Sequence, residues 1–470
     1  MVHLTTALDP ASAVPLYEQL YRSLAAEMRA GTLTAGTRMP GKRRLAAELS
    51  VSVNTVDTAY QMLAAEGYLT ARERSGFTVQ EYLALPQGVQ PPAAPSAPAA
   101  VHPADAAPPV QFDLSTRGVD PGLFPFRTWA RLQKELLYSA PELLTPGDAR
   151  GDAALRQALA GYLAEYRGVQ CDPEQLVVGA GLEYLLGLLA PLLPGPAAVE
   201  TPGYPRARQV LENNGVPCRC LPVDADGLSL TALSASDAAV CYVTPSHQFP
   251  TGVTMPAGRR AELLHWAARR PGQRYIIEDD YDSEFRFDTR PLPSLQGMAG
   301  ADGPVVYLST CSRSLAPSIR IAYMVLPEHL ANEFYRRLSF YSCTVSTFEQ
   351  YTLARFISEG YFEKHINRMR LHYGRKRQSV LSSIKGCFTE KECRVIENDS
   401  GLHFIIQFDT NLPDKTVEER LLKKGIKLQA ITHFNLIKPK EDRHQFIINY
   451  SNIDADRIMD ELLIIKDTIL

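Results

Sequence analysis

Leucine and methionine recur four residues apart early in the chain. Leu16, Leu20, Leu24 and Met28 make one stripe over residues 15–30, which predicts a helix that Gly31 ends. Residues 42–49 predict a short second helix, 50–52 a turn, and 53–65 a third helix stopped by Gly67. Two short helices across a tight turn form a helix-turn-helix. Residues 69–79 then read as two short strands around 74–76, a wing. From residue 112 the pattern changes. Helical stretches alternate with apolar, mostly β-branched runs at 176–178, 239–243, 275–278, 305–308 and 321–326. That alternation predicts an α/β fold, a sheet with helices on both faces whose ligands sit beyond the carboxyl ends of the strands.

Composition adds a boundary. Residues 86–109 hold eight prolines and eight alanines in 24 positions, without apolar periodicity and with little charge. Such a run favours extended polyproline II and reads as a linker over 81–111. The expected domains are therefore 1–80 and 112–470, with 341–470 largely a smaller α+β subdomain. Isoleucine and lysine usage also shifts: residues 1–340 contain 4 and 2, residues 341–470 contain 16 and 11. Net charge is −3, so the whole molecule is no polybasic binder of nucleic acid, although a local basic patch is allowed. The most apolar window, 182–199, carries Glu183 and three prolines and makes a poor membrane span. Eight cysteines with no C-x-x-C pair suit neither a disulfide framework nor a zinc site, and no metal site is expected. The expectation is a cytoplasmic protein without membrane association.

Within residues 1–80, 8 Lys/Arg stand against 7 Asp/Glu, so placement carries the argument. Arg38, Lys42, Arg43 and Arg44 cluster at the start of the second helix, and Arg72 and Arg74 lie on the wing beside Gly76. Helix N-termini and arginines suit phosphate. Ser52, Asn54 and Thr55 open the third helix, where base edges are usually read. The chemistry alone leaves a solvated basic face open as the other reading. Residues 15–79 resemble a GntR-family winged helix, with matches at Pro40, Arg43, Leu45-Ala46, Val51-Ser52, Asn54-Thr55-Val56, Ala59-Tyr60, Glu66-Gly67 and Gly76. Gly41 stands where that family usually has Ser, and Val53 where it usually has Arg. The resemblance implies a double-stranded DNA operator as partner.

In the large domain the polar motifs fall at strand ends. Gly179-Ala180-Gly181 precede an apolar helix, where backbone amides could approach a phosphate; a simple turn is the alternative. Asp279 and Tyr281, two apart at a strand end, point to one side and could hold a protonated ring nitrogen and a ring hydroxyl; a capped turn in an acidic loop is the alternative. Thr310, Ser312 and Arg320 supply hydroxyls and a guanidinium suited to a phosphate. Together these stretches resemble the fold type I aminotransferases. More closely they resemble the MocR (GabR-like) regulators, which join a GntR winged helix to an aminotransferase-like domain by a long linker. The resemblance implies pyridoxal 5'-phosphate as cofactor. It implies Asp279 on the pyridine nitrogen and Tyr281 on the ring hydroxyl, with Tyr204 stacked near the ring and His247 in a ring-contacting loop. It assigns the phosphate to 179–181, Thr310, Ser312 and Arg320, and the acid group of an amino-acid-like effector to Arg206. It further implies a homodimer.

One departure changes the chemistry. The family's Schiff-base lysine follows the serine of this motif, and here that position is Arg313. A guanidinium stays protonated and is no nucleophile toward an aldehyde. Lysine is absent between Lys134 and Lys364. In the last strand, where many relatives carry a carboxylate-binding arginine, this chain has Ser451 and Asn452. The reading is a one-component transcription regulator with no catalytic residue, holding pyridoxal phosphate without a covalent bond. Its alternatives are an aminotransferase with a DNA-binding head, and a regulator whose body no longer binds the cofactor.

Overall fold

A computed structural model describes residues 8–470 except 11, 73–75, 82–109, 116–117, 271, 289–291, 397–398, 438–441 and 455–456. The linker expected over 81–111 thus falls almost wholly outside the described residues, as does Arg74. The chain divides into two compact units, Met1–Ala106 and Ala107–Leu470.

Among the described residues the first unit contains three helices and a two-stranded sheet: α1 (Leu16–Arg29), α2 (Lys42–Glu48), α3 (Val53–Ala65), β1 (Leu69–Arg72) and β2 (Gly76–Val79). The apolar stripe of α1 buries Leu20, Leu24 and Met28 against Leu45, Val56, Tyr60 and Leu63. Ser52 caps α3 by accepting the Thr55 amide at 3.0 Å, the start signal expected of a serine before an apolar-periodic run. Gly31 and Gly67, at φ 76° and 79°, end α1 and the turn after α3. β1 and β2 pair antiparallel, and the Tyr60 hydroxyl donates to the Pro40 carbonyl at 3.0 Å, tying α3 to the loop before α2.

The second unit is built on an eight-stranded sheet. Its order is Leu176–Gly179, Ala322–Val325, Val305–Thr310, Tyr275–Asp279, Val240–Val243, Ala197–Thr201, Cys218–Asp224 and Gly227–Leu228. Ala322–Val325 and Gly227–Leu228 run antiparallel to their neighbours; the other six share one direction. Five of these strands match the runs expected from sequence. Ala197–Thr201 and both strands after it were not expected. Alternate residues feed two layers: Val306 and Leu308 pack on one face with Leu185, Leu211 and Phe334, while Tyr307 packs on the other with Leu159 and Leu163. Helices therefore cover both faces.

The C-terminal part carries a second sheet, ordered Cys393–Ile396, His403–Phe408, Gln445–Asn449 and Gln429–Ala430. The helices Tyr361–Cys387, Asp414–Lys423 and Ile458–Ile469 pack on it through Val380, Ile384, Val417, Leu421, Leu462 and Ile465. Among the described residues no helix is long and apolar enough to cross a membrane.

Candidate functional site

Because six strands share a direction, their carboxyl ends lie along one edge. Gly179, Thr201, Val243, Asp279 and Thr310 close five of them, and the loops beyond bound a cavity of about 710 Å³. Gly118, Tyr204, Arg206, Asp279, Tyr281, Thr310, Ser312, Arg313 and Arg320 line it, together with Gly181, Leu182 and Glu183 at the start of the helix Leu182–Leu189. The fold thus brings together residues as far apart in sequence as Gly118 and Phe434.

Asp279 is buried at 3 % exposure. The Tyr242 hydroxyl donates to its Oδ2, and among the described residues Oδ1 has no hydrogen-bond partner. Burial pushes its carboxyl up to about 7, against the pull of the Tyr242 hydrogen bond. A buried carboxylate oxygen without a partner carries a desolvation cost that a donor, above all a cationic one, would relieve. The Tyr281 hydroxyl donates to the His247 carbonyl at 2.9 Å and lies 3.1 Å from His247 Nδ1. His247 Nδ1 in turn meets Asp282 Oδ2 at 2.9 Å. His247 stands behind Tyr281 and is not among the cavity-lining residues. Burial first, then the neighbouring His247 and Arg313, holds the His403 pKa well below the usual imidazole value. The potential ligand atoms of His247, Asp282 and His403 lie within 4.8 Å of one another. A Cβ on Gly401 would stand 2.0 Å from His247 Nδ1 and 2.5 Å from Asp282 Oδ2, so the Gly401 backbone fills the space in front of them. Asp282 and His247 accordingly form a hydrogen-bonded pair that positions Tyr281.

On the opposite wall, Thr310 and Ser312 share a hydrogen bond at 2.7 Å, and the Ser312 amide donates to Thr310 Oγ1 at 3.2 Å. Arg320 takes the left-handed conformation at φ 57°. Its Nη2 donates to the Ala180 carbonyl at 3.1 Å and meets Glu183 Oε2 at 3.3 Å. Gly181 has φ 103°, a backbone conformation that favours glycine, and a Cβ there would push the Arg320 guanidinium aside. Gly179 and Ala180 stay out of the cavity. Gly179 is buried in its strand, where a Cβ would strike Leu185 and Tyr184. The Ala180 amide already donates to Thr344 Oγ1 at 2.9 Å. Arg206 pairs with Glu183 Oε1 at 3.0 Å, and the Tyr204 hydroxyl reaches the same oxygen at 3.3 Å. Arg313 Nη1 donates to the Gly118 carbonyl at 3.0 Å; Ser451 Oγ donates to the same carbonyl, also at 3.0 Å, and Asn452 packs against Gly118.

Sequence reasoning missed Glu183 and Arg167. Arg167 Nε donates to Asp280 Oδ2 at 2.7 Å, and Tyr307 and Ser283 hydroxyls donate to the same oxygen at 2.7 and 2.8 Å. Burial alone would raise the Asp280 pKa; Arg167 and the two hydroxyls hold it below the usual value. This network anchors the loop that carries Asp279 and Tyr281. Arg167→Ala would strand a buried carboxylate, and urea denaturation should show a loss of about 3–5 kcal/mol. A loss under about 1 kcal/mol would mean that the loop is held otherwise.

In the first unit, Arg38, Arg43, Ser52 and Asn54 are exposed and Thr55 is half-buried. Ser52 Oγ and Thr55 Oγ1 lie 2.9 Å apart at the α3 cap. Lys42 pairs with Asp57 of α3 and sits 5.3 Å over the Phe77 ring. Arg44 pairs with Glu48 at 2.8 Å. Among the described residues Arg38 and Arg43 make no ion pair. Gly76 begins β2 at φ 84°.

Comparison with known proteins matches the two units separately. Residues 16–79 match the gntR family of bacterial regulatory proteins, and residues 118–459 match the class I and II aminotransferases. Over 460 residues the chain is 36% identical to the probable rhizopine catabolism regulatory protein MocR of Rhizobium meliloti, covering 95% of this chain and 92% of that protein. The chain belongs to the MocR-like GntR regulators. YdeL, an HTH-type transcriptional regulator of Bacillus subtilis, is 38% identical over 447 residues, or 91% of this chain and 92% of YdeL. PdxR, the pyridoxine biosynthesis transcriptional regulator of Corynebacterium glutamicum, is 30% identical over 92% of this chain and 92% of its own. Among solved structures, kynurenine aminotransferase of Pyrococcus horikoshii superposes with a TM-score of 0.68 at 24% identity, covering 78% of this chain and 91% of that one. It shares the fold. The MocR-like regulator thus joins a DNA-binding winged helix to a fold type I aminotransferase domain, the pattern expected from sequence.

Proposed function

We propose that this transcription regulator binds pyridoxal phosphate reversibly in the 710 Å³ cavity and reports its occupancy, or that of an amino-acid-like effector beside it, to an operator bound by a homodimer. The observation that carries this reading is the unpartnered Oδ1 of buried, cavity-lining Asp279. A protonated ring nitrogen is the donor that Oδ1 lacks, and its charge would keep Asp279 ionised despite burial. Tyr281 stands ready for a ring hydroxyl, Tyr204 for the ring face. Thr310, Ser312, Arg320 and the helix start at Gly181 are the groups suited to a phosphate. Arg206 would take the acid group of the effector once Glu183 lets it go.

When bound, pyridoxal phosphate supplies an electron-withdrawing ring and an aldehyde. Arg313 occupies the position that the family's lysine holds in the same motif. Its guanidinium remains protonated, places positive charge beside Tyr281 and does not condense with the aldehyde. Retention therefore depends on hydrogen bonds and charge pairing alone. No turnover of amino acids is expected, since the group that moves the proton in transamination is missing.

Equilibrium dialysis with absorbance detection tests the reading. Wild-type protein should take up pyridoxal phosphate and release it on dialysis. Asp279→Asn should bind it about 10–100-fold more weakly, the worth of a charge-assisted hydrogen bond. Equal affinity of the two would remove Asp279 from the site. No uptake by either would favour a body that no longer binds this cofactor.

A further inference from the structure

Glu183 does inside the cavity what an incoming anion would do. It sits in the first turn of the helix Leu182–Leu189, where unpaired backbone amides favour negative charge. Its two oxygens divide between two of the cavity's three arginines: Oε1 meets Arg206 at 3.0 Å, and Oε2 meets Arg320 at 3.3 Å. The Tyr204 hydroxyl adds a third donor at 3.3 Å. Partial burial would raise its pKa, but its own backbone amide, Arg206 and Arg320 together hold it lower. Leu182, next to it on the cavity wall, offers only hydrocarbon. The two arginines needed for an anionic ligand are thus already engaged by a resident carboxylate. They are more than half exposed, Arg206 at 57% and Arg320 at 53%, so the pairs are weak enough for a ligand to displace.

We propose that Glu183 is a specificity-determining residue: a built-in competitor for the anion subsite that lowers affinity for phosphorylated ligands relative to their unphosphorylated forms. This rests on the reading that the cavity takes a pyridoxal-type ring, but the competition itself concerns any phosphate. A phosphate reaching Arg320 must displace one carboxylate oxygen and then lie beside that carboxylate. Like charges at such range oppose each other, whereas the ring and aldehyde, which bind toward Asp279 and Tyr281, are not opposed. The other oxygen remains on Arg206, at the start of the helix Pro205–Asn213. Entry of the phosphate and entry of an effector's acid group are then coupled through one side chain.

Glu183→Gln keeps the size and polarity of the side chain and removes the charge. Binding to the full chain is measured for pyridoxal phosphate, for pyridoxal, and for inorganic phosphate by its effect on Tm. The variant should bind pyridoxal phosphate about tenfold more tightly than wild type, a gain of roughly 1.4 kcal/mol. Pyridoxal affinity should change less than about twofold, and inorganic phosphate should raise the Tm of the variant more than that of wild type. Glu183→Ala, which also frees both arginines, carries the same expectation and serves if the glutamine variant misfolds. If neither pyridoxal phosphate nor inorganic phosphate favours the variants, the proposal is overturned. If phosphate favours them but pyridoxal phosphate binds none of the proteins, Glu183 keeps its role and the cofactor reading falls. An equal gain for pyridoxal and pyridoxal phosphate would show that Glu183 acts on the ring, and would also overturn the proposal.

Discussion

Arg313→Lys should turn reversible uptake of pyridoxal phosphate into a covalent, borohydride-reducible link of about one equivalent per chain, against none for the parent chain. Arg313 lines the cavity beside Tyr281 and Asp279, and its Nη1 is held by the Gly118 carbonyl at 3.0 Å. A lysine there would meet the same wall, with a primary amine in place of the guanidinium. Position 313 is half-buried, and burial disfavours an ammonium charge, which leaves more of the amine neutral and nucleophilic. The change should appear as a yellow band that shifts on reduction, and as a mass increase on the peptide carrying position 313. Reversible binding without a reducible link would mean that position 313 does not reach the aldehyde. A variant that stays colourless and binds nothing in excess pyridoxal phosphate would mean that the cavity does not take the ring at all.

The second large effect is expected on DNA. Arg43 is exposed at the first turn of α2, and Arg44 pairs with Glu48 one turn on, an exposed pair worth a few tenths of a kcal/mol. Removing both side chains with Arg43→Ala and Arg44→Ala should reduce the magnitude of the log–log salt slope by about 1.8, two phosphate contacts at 0.9 each. Affinity for mixed-sequence duplex DNA should fall roughly 10–100-fold near physiological salt. Fluorescence anisotropy at several salt concentrations measures both, with circular dichroism to show that the winged helix stays folded. Because phosphate contacts position rather than specify, every sequence should be weakened alike. An unchanged slope would place the DNA on another face. Lys42 is a poorer choice for the test, since its pairing with Asp57 and its place over Phe77 make it part of the α2–α3 packing.

The winged helix was legible in the chain because its determinants are local. A four-residue apolar stripe, a serine cap and two glycines at positive φ define α1 to α3 almost to the residue. The five β-branched runs were legible for the same reason: strands buried on both faces are nearly continuous apolar segments. Ala197–Thr201 escaped notice because alanine and glutamate carry no strand signal, and Cys218–Asp224 because Pro222 interrupts it. Asp279, Tyr281, Thr310, Ser312, Arg313 and Arg320 could be singled out because each follows a legible strand, and parallel strands deliver their carboxyl ends to one edge. Only the tertiary structure decided how these groups are partnered. Arg167 reaches Asp280 across 113 positions, and Glu183 meets Arg206 and Arg320 across 23 and 137. The Gly118 carbonyl serves Arg313 and Ser451 across 195 and 333. A charge's partner is set by distance in space, and separations of that size along the chain contain no signal of it. Residue types and local periodicity determined which elements form and which chemistry is present; packing determined which of those groups face the cavity and which are already engaged.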